Sequence, residues 1–408
     1  MTEVTRLANG LTVAVDSVSS AQSVSVGLYA MVGSRSEADD RGGLAHLVEH
    51  MVFKGAGGRD ARAIAEAIED VGGSLNAWTA RDQTVFHARV LPADVGLALR
   101  LIADLVRSPR FDPDELEREK QVILSELGES RDAPDDLIHD HLFEAAFGDQ
   151  PLARPVLGSE GSIAAIGRDD CVAWLDRQFR PERLMVVAAG RVDPGEVVAL
   201  AQSLFGDLTA TTAIAPPPAT FIGGARHDRR KVEQAHLALA LPGLASSDPA
   251  APALALFAQA VGGGMSSRLF QQLREDRGLA YSIYGWSQGF ADTGLFAVNL
   301  STDRARAAEA LRLVEAVLAD AADTLTQAEL DRARAQVEAG MLMSLEGPQG
   351  RADTIARSLE VFGRVLSLDE MLGDYRAVDL ASARAAGRVL LGGRRALATI
   401  GDRLALAA

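Results

Sequence analysis

Phe111-Asp112-Pro113-Asp114-Glu115-Leu116-Glu117-Arg118 has a second copy 214 residues downstream, Leu325-Thr326-Gln327-Ala328-Glu329-Leu330-Asp331-Arg332. Each copy follows an amphipathic stretch, Val95 to Arg107 in the first case and Ala305 to Leu318 in the second, apolar at helical spacing. Each also opens a further helix behind a polar cap, Asp112 ahead of Pro113 and Thr326 ahead of Gln327. The shared offset predicts a duplicated fold. At 408 residues the chain is too long for one simple core. We therefore expect two homologous domains, 1–208 and 231–408. Between them, 209–230 holds Thr-Ala-Thr-Thr, the run Pro216 to Pro218 and a basic cluster, and reads as a linker.

Within each copy, strands and helices do not alternate strictly. Leu11 to Val15, Val24 to Met31, Leu184 to Ala189 and Gln234 to Leu241 read as strands. Ala61 to Val71 reads as a helix ended by Gly72-Gly73. Ser74 to Thr79 and Thr84 to Leu91 are joined by Ala80-Arg81-Asp82-Gln83, a hairpin pattern. The mixture predicts an α+β class, each domain a mostly antiparallel sheet packed with helices.

The formal charge, 41 − 56 = −15, argues against nucleic acid or an anionic membrane as partner. Cys171 is the one cysteine, so neither an intrachain disulfide nor a cysteine metal cluster can form. The N-terminus lacks the basic-then-apolar run of a secretion signal. No stretch reaches the ~18 apolar residues of a membrane span. The expected location is the cytoplasm.

The chemistry lies in His46-Leu47-Val48-Glu49-His50. Histidines four apart, with a glutamate three from the first, project to one side of a helix. Two neutral imidazoles so placed can share a zinc ion, and the carboxylate can take a proton from a bound water. The order H-x-x-E-H is the inverzincin signature. The competing reading is an amphipathic helix with two ordinary histidines and a solvated glutamate. At the repeat offset, however, His46, Glu49 and His50 fall on Ala260, Gly263 and Gly264. A histidine needed for packing should recur in both copies; these do not.

A catalytic zinc takes a third protein ligand and leaves the fourth position to water. Among the seven histidines, His139 and His141 differ by two, lie on different helix faces and are expected as surface or capping residues. The better candidate is a carboxylate on the helix from Asp114 to Glu129, where Glu119 and Glu126 are two turns apart on one face. Their counterparts are Ala333 and Gly340, so both carboxylates vanish from the copy that lost the histidines. Glu126 is read as the ligand, while Glu115, Glu117 and Glu129 are read as a solvated face.

His46 to Gly55, followed by Glu126, resembles the pitrilysin/insulinase/mitochondrial-processing-peptidase family of zinc metallopeptidases. The likeness runs through Val32-Gly33-Ser34-Arg35-Ser36-Glu37, Leu75-Asn76-Ala77-Trp78-Thr79 and Leu269 to Tyr281, and the length is that of the short bacterial single-subunit branch. The resemblance implies a metalloendopeptidase of oligopeptides or extended segments, each chain forming half of a clamshell chamber. His46, His50 and Glu126 would hold one Zn2+ per chain, Glu49 would be the general base, and Glu119 would orient the site. Arg274 and, seven residues on, Tyr281 would donate to the carbonyl oxygen as charge develops there. Asn76 and Ala77 would lie on a substrate-binding edge strand. Trp78 is read as packing, and Gly262 to Gly264 either as a flexible loop near substrate or as a chance run. A homodimer is expected, with a heterodimer of related subunits as the alternative. The rival functions are a non-catalytic scaffold subunit and a presequence-type processing peptidase.

Overall fold

The computed structural model describes residues 2–210 and 215–401; residues 211–214 of the expected linker lie outside them. Two compact units emerge. The first holds a six-stranded sheet built from β1 (Thr2–Arg6), β2 (Thr12–Ser17), β3 (Val24–Ala30), β6 (Ser74–Thr79), β7 (Thr84–Val90) and β8 (Leu184–Gly190), with β4 (Gly55–Ala56) and β5 (Arg59–Asp60) as a small separate ribbon. The order is β1-β2-β8-β3-β7-β6, antiparallel except where β2 runs parallel to β8. Its helices are α1 (Leu44–Val52), α2 (Ala61–Glu69), α3 (Val95–Arg107), α4 (Pro113–Asp132, up to Gly128), α6 (Glu160–Ala165), α7 (Arg168–Gln178), α8 (Pro194–Phe205) and α12 (Pro348–Phe362). Strands β3 and β8 are buried along their whole length because helices cover both sheet faces. That is why β8 reads as an unbroken apolar run and β3 as one interrupted only by Ser25, rather than as alternating strands. Strand β6, at the sheet edge, alternates instead.

The second unit holds β9 (Gly224–Asp228), β10 (Gln234–Pro242), β11 (Ala280–Gly289), β12 (Gly294–Asp303) and β13 (Ala396–Ile400) in the order β11-β12-β10-β13-β9. Only β9 and β13 are parallel. Its helices are α5 (Pro134–Phe147), α9 (Ala251–Gly262), α10 (Ala307–Thr324), α11 (Gln327–Ser344), α13 (Leu368–Arg376) and α14 (Leu380–Leu391). The run β9-β13-β10-β12-β11 repeats β2-β8-β3-β7-β6 strand for strand, parallel pair included. The duplication expected from the 214-residue offset is thus visible in both sheets.

Three sequence expectations need correction. The compact units do not follow the division at 1–208 and 231–408: α5, from the first copy, packs on β9, β10 and β13, whereas α12, from the second, packs on β3 and β8. Pro134 and Pro348, which open these helices, are themselves 214 residues apart. Each sheet has a second apolar face, and each is closed by a helix encoded in the other copy. Leu142, Phe143 and Phe147 of α5 lie against Ala238, Ala297 and Ala398; Ala352, Ile355 and Ala356 of α12 lie against Tyr29, Val85 and Val187. The expected linker is shorter than 209–230, because Gly224–Asp228 is an edge strand held by backbone pairing despite its charged side chains. Finally, His141 is buried rather than superficial, with Nε2 3.3 Å from Asp228 Oδ2. Half-buried His139 contacts the Tyr284 hydroxyl at 3.2 Å.

Candidate metal centre

Helix α1 begins where only glycine fits. Gly43 has φ 87°, and a Cβ there would lie 2.5 Å from Ile163 Cδ1. The first turn is capped by a distant side chain: Glu37 Oε2 accepts the Gly43 N–H at 3.0 Å and Oε1 accepts the Ala45 N–H at 2.7 Å. Burial pushes the Glu37 carboxyl up to about 8, against the opposing pull of those two N–H groups. From this start Leu44, Ala45, Leu47, Val48, Met51 and Val52 turn into the core, leaving His46, Glu49 and His50 half-buried on the other face.

The helix facing it starts under strain. Phe111 is buried with φ 46°, the single described residue other than glycine with positive φ. Such a conformation costs about 1–2 kcal/mol. Its counterpart Leu325 has an ordinary φ of −48°, so the strain belongs to the copy that carries the donors. Asp112 then accepts from the Asp114 and Glu115 N–H groups at 2.9 and 3.2 Å, which sets the rotation of α4. Glu119 is thereby buried at 5% side-chain exposure and Glu126 half-open at 37%.

The donors converge. His46 Nε2 is 3.9 Å from Glu126 Oε2, His50 Nε2 is 3.8 Å from Glu126 Oε1, and one donor atom from each of the three residues lies within 4.8 Å of the others. Ligands ~2.0–2.1 Å from a tetrahedral zinc sit about 3.4 Å apart, so side-chain adjustments of about half an ångström to somewhat over one bring these donors to a metal cage. The donor set, two imidazoles and a carboxylate, is a catalytic zinc set. Burial, and secondarily the neighbouring His50, holds His46 down to about 4, keeping it neutral and its lone pair available. His50 Nδ1 is 3.1 Å from Glu119 Oε2; a carboxylate only accepts, so Nδ1 carries a proton toward Glu119, and Nε2 is the ring nitrogen directed at Glu126. Glu119 Oε1 meets Lys54 Nζ at 2.6 Å. Burial raises the Glu49 pKa, partly countered by the Thr79 hydroxyl, which donates to its Oε2 at 2.5 Å.

Asn76 and Ala77 lie on β6, which is the edge of its sheet and packs beside α1. The Asn76 side chain accepts the Ala77 N–H at 2.9 Å, covering one donor of that strand. Trp78 is not packed away as expected; it is 37% exposed, because alternation along β6 turns it from the core face that Leu75 and Ala77 join. Arg274 and Tyr281 belong to the second unit. Arg274 sits in a π-helical turn, Phe270–Glu275, with its guanidinium 4.7 Å from the Phe270 ring centroid. Tyr281 is 73% exposed at a bulge in the edge strand β11.

Residues 12–160 match the family described as Insulinase (Peptidase family M16), and 165–337 match the domain described as Peptidase M16 inactive domain. An uncharacterized zinc protease of Streptomyces coelicolor is 36% identical over 97% of this chain and 89% of its own length. The chain belongs to the insulinase peptidase family. Two solved structures share the fold of this family member: a protease from Helicobacter pylori (TM-score 0.91, 22% identity, 98% of this chain and 99% of that one) and a peptidase M16 inactive domain from Pseudomonas fluorescens (TM-score 0.88, 25% identity, 100% of both).

The candidate centre has neighbours that sequence reasoning left without a role. Glu37, Lys54 and Thr79 all lie inside the segments that carry the family likeness; Glu37 acts six and eight residues on, at Gly43 and Ala45, whereas Lys54 and Thr79 act on Glu119 and Glu49, far away in sequence. The second copy shows what replaces the centre: α9 ends at Gly262, before the positions equivalent to Glu49 and His50. The expected loop role for Gly262 gives way to packing, since a Cβ there would come within 2.5 Å of the Gly285 backbone nitrogen.

Proposed function

We propose that the chain is a zinc metalloendopeptidase acting on oligopeptides or extended segments of unfolded polypeptide. The observation that carries this reading is the convergence of His46, His50 and Glu126 within 4.8 Å, with Glu49 on the same helix face. Zinc held by these three residues supplies Lewis-acid polarisation of the scissile carbonyl and lowers the pKa of a bound water. The protein's own part follows from its geometry. Glu119 and Lys54 fix the ring of His50. Glu49 takes the proton of the attacking water and returns one to the departing amine, a role that its burial-raised pKa suits. A peptide adding to β6 exchanges the Asn76 side chain for its own carbonyl at the Ala77 N–H. Because that pairing uses backbone groups, it selects extended chains over particular sequences. Arg274 and Tyr281 offer a guanidinium and a phenol to the developing oxyanion. A second copy of the chain closes the chamber, which sedimentation of the purified protein checks.

The scaffold-subunit reading is disfavoured by the intact donor set, which a silent subunit has no physical reason to keep. Zinc stoichiometry with a quenched-peptide assay tests the proposal: about one zinc per chain, and a Glu49→Gln protein that keeps its zinc but loses ~10²–10⁴-fold in kcat. Equal cleavage by wild type and Glu49→Gln at equal zinc content would overturn it.

A further inference from the structure

Thr79 is the last residue of β6, and its hydroxyl donates to Glu49 Oε2 at 2.5 Å. Beyond it the chain turns through Ala80 to Gln83, and this turn is gripped from the side. The Ser34 and Arg35 N–H groups donate to the Ala80 and Arg81 carbonyls at 3.1 and 2.9 Å. The Arg35 guanidinium lies 3.5 Å from the Asp82 carboxylate. Gly33 presses so closely on the turn that a Cβ would fall 2.1 Å from the Ala80 oxygen. A few residues on, the carboxylate of Glu37 holds the first turn of α1 through Gly43 and Ala45. One short segment, Gly33 to Glu37, therefore clamps the end of β6 at one end and the start of the helix bearing Glu49 at the other. The Thr79 hydroxyl spans the gap that this clamp sets.

We propose that Thr79 is a positioning residue for Glu49, tying the base to the strand on which the peptide is held; this rests on the peptidase reading above. A glutamate has three side-chain torsions, and a hydrogen bond to one carboxylate oxygen restricts them. Oε2 is taken by the hydroxyl, and Oε1 is left to accept a proton. Parity along β6 makes position 79 the natural place for such a tether. Leu75, Ala77 and Thr79 share the face toward α1, and of these only Thr79 carries a donor. Because the donor stands on the edge strand itself, the register of a paired peptide and the location of the base are set by the same element.

The test uses the full-length zinc-loaded protein with Thr79→Val, which keeps the volume but cannot donate, and Thr79→Ser, which can. We expect Thr79→Val to lower kcat by ~10–100-fold with KM and zinc content within about twofold, and Thr79→Ser to recover most of the loss. A second arm does not depend on turnover: in a crystal structure of zinc-loaded Thr79→Val, the Glu49 carboxylate leaves the place it holds beside position 79. The tether is overturned if Thr79→Val keeps wild-type kcat, if serine is as impaired as valine, if KM and zinc binding fall in step with kcat, or if Glu49 stays in place. A wild type inert toward every peptide, with Glu49 displaced in the valine crystal, sinks the peptidase reading while the tether stands.

Discussion

His50 Nδ1 lies 3.1 Å from Glu119 Oε2, and this one contact decides which nitrogen of the ring is free for a metal. Glu119 is itself held, because its other oxygen meets Lys54 Nζ at 2.6 Å. Burying a carboxyl group is costly when its oxygens are left without partners, and here both have one.

Glu119→Ala is therefore expected to weaken zinc binding by ~10–100-fold without removing a ligand. Competition against a chelator of known affinity measures this directly. Binding unchanged from wild type would show that His50 keeps its tautomer and orientation unaided. Lys54→Met should weaken binding in the same direction by a smaller factor.

Gly43→Ala probes the start of α1. The added methyl meets Ile163 Cδ1 at 2.5 Å and forces a left-handed backbone on alanine. We expect a stability loss of about 1–3 kcal/mol in denaturant titration, with weaker zinc binding because both histidines ride on this helix. A variant as stable as wild type would mean that the helix entry relaxes freely.

Arg268 and Glu329 give a pH prediction in the second unit. The guanidinium reaches both oxygens of Glu329 at 2.6 and 2.8 Å, and Thr326 adds two more donors. Burial works to raise the Glu329 pKa, but these partners outweigh it and hold the carboxyl near 2, against an ordinary 4.5. Between those values the unfolded chain binds a proton that the folded one does not. The stabilisation is complete above about pH 4.5 and is lost as pH falls through about 2. Urea titrations of wild type and Glu329→Gln should therefore differ more at pH 6 than at pH 3, wild type being the more stable. A gap that widens on acidification would contradict this.

Much of the architecture can be read from the residues. The repeated octapeptide locates equivalent helices, the spacing of His46, Glu49 and His50 places them on one face, and the seven-residue interval from Glu119 to Glu126 brings both carboxylates to the opposite helix. The hairpin after Ser74 is equally plain, since its two strands and four-residue turn are local. What escapes is non-local. Nothing in the periodicity of α5 or α12 says which sheet an apolar helix will cover. The burial of His141 depends on Asp228, 87 residues away, whose carboxylate compensates a polar ring in the interior. Strand β9 carries Arg226, His227 and Asp228 and is held by backbone pairing and polar side-chain contacts, so hydrophobic patterning misses it. Glu37, Lys54 and Thr79 read as ordinary polar residues until the fold brings each to its partner.

The crossed assignment of α5 and α12 has a consequence for synthesis. Translation finishes the first sheet at Gly190, yet its covering helix begins only at Pro348. At ~5–20 residues per second that interval lasts roughly eight to thirty seconds. Throughout it the nascent chain displays Val85, Met185, Val187 and Ala189 without the helix that covers them, a sticky surface that the cell must shield until Pro348–Phe362 has been made.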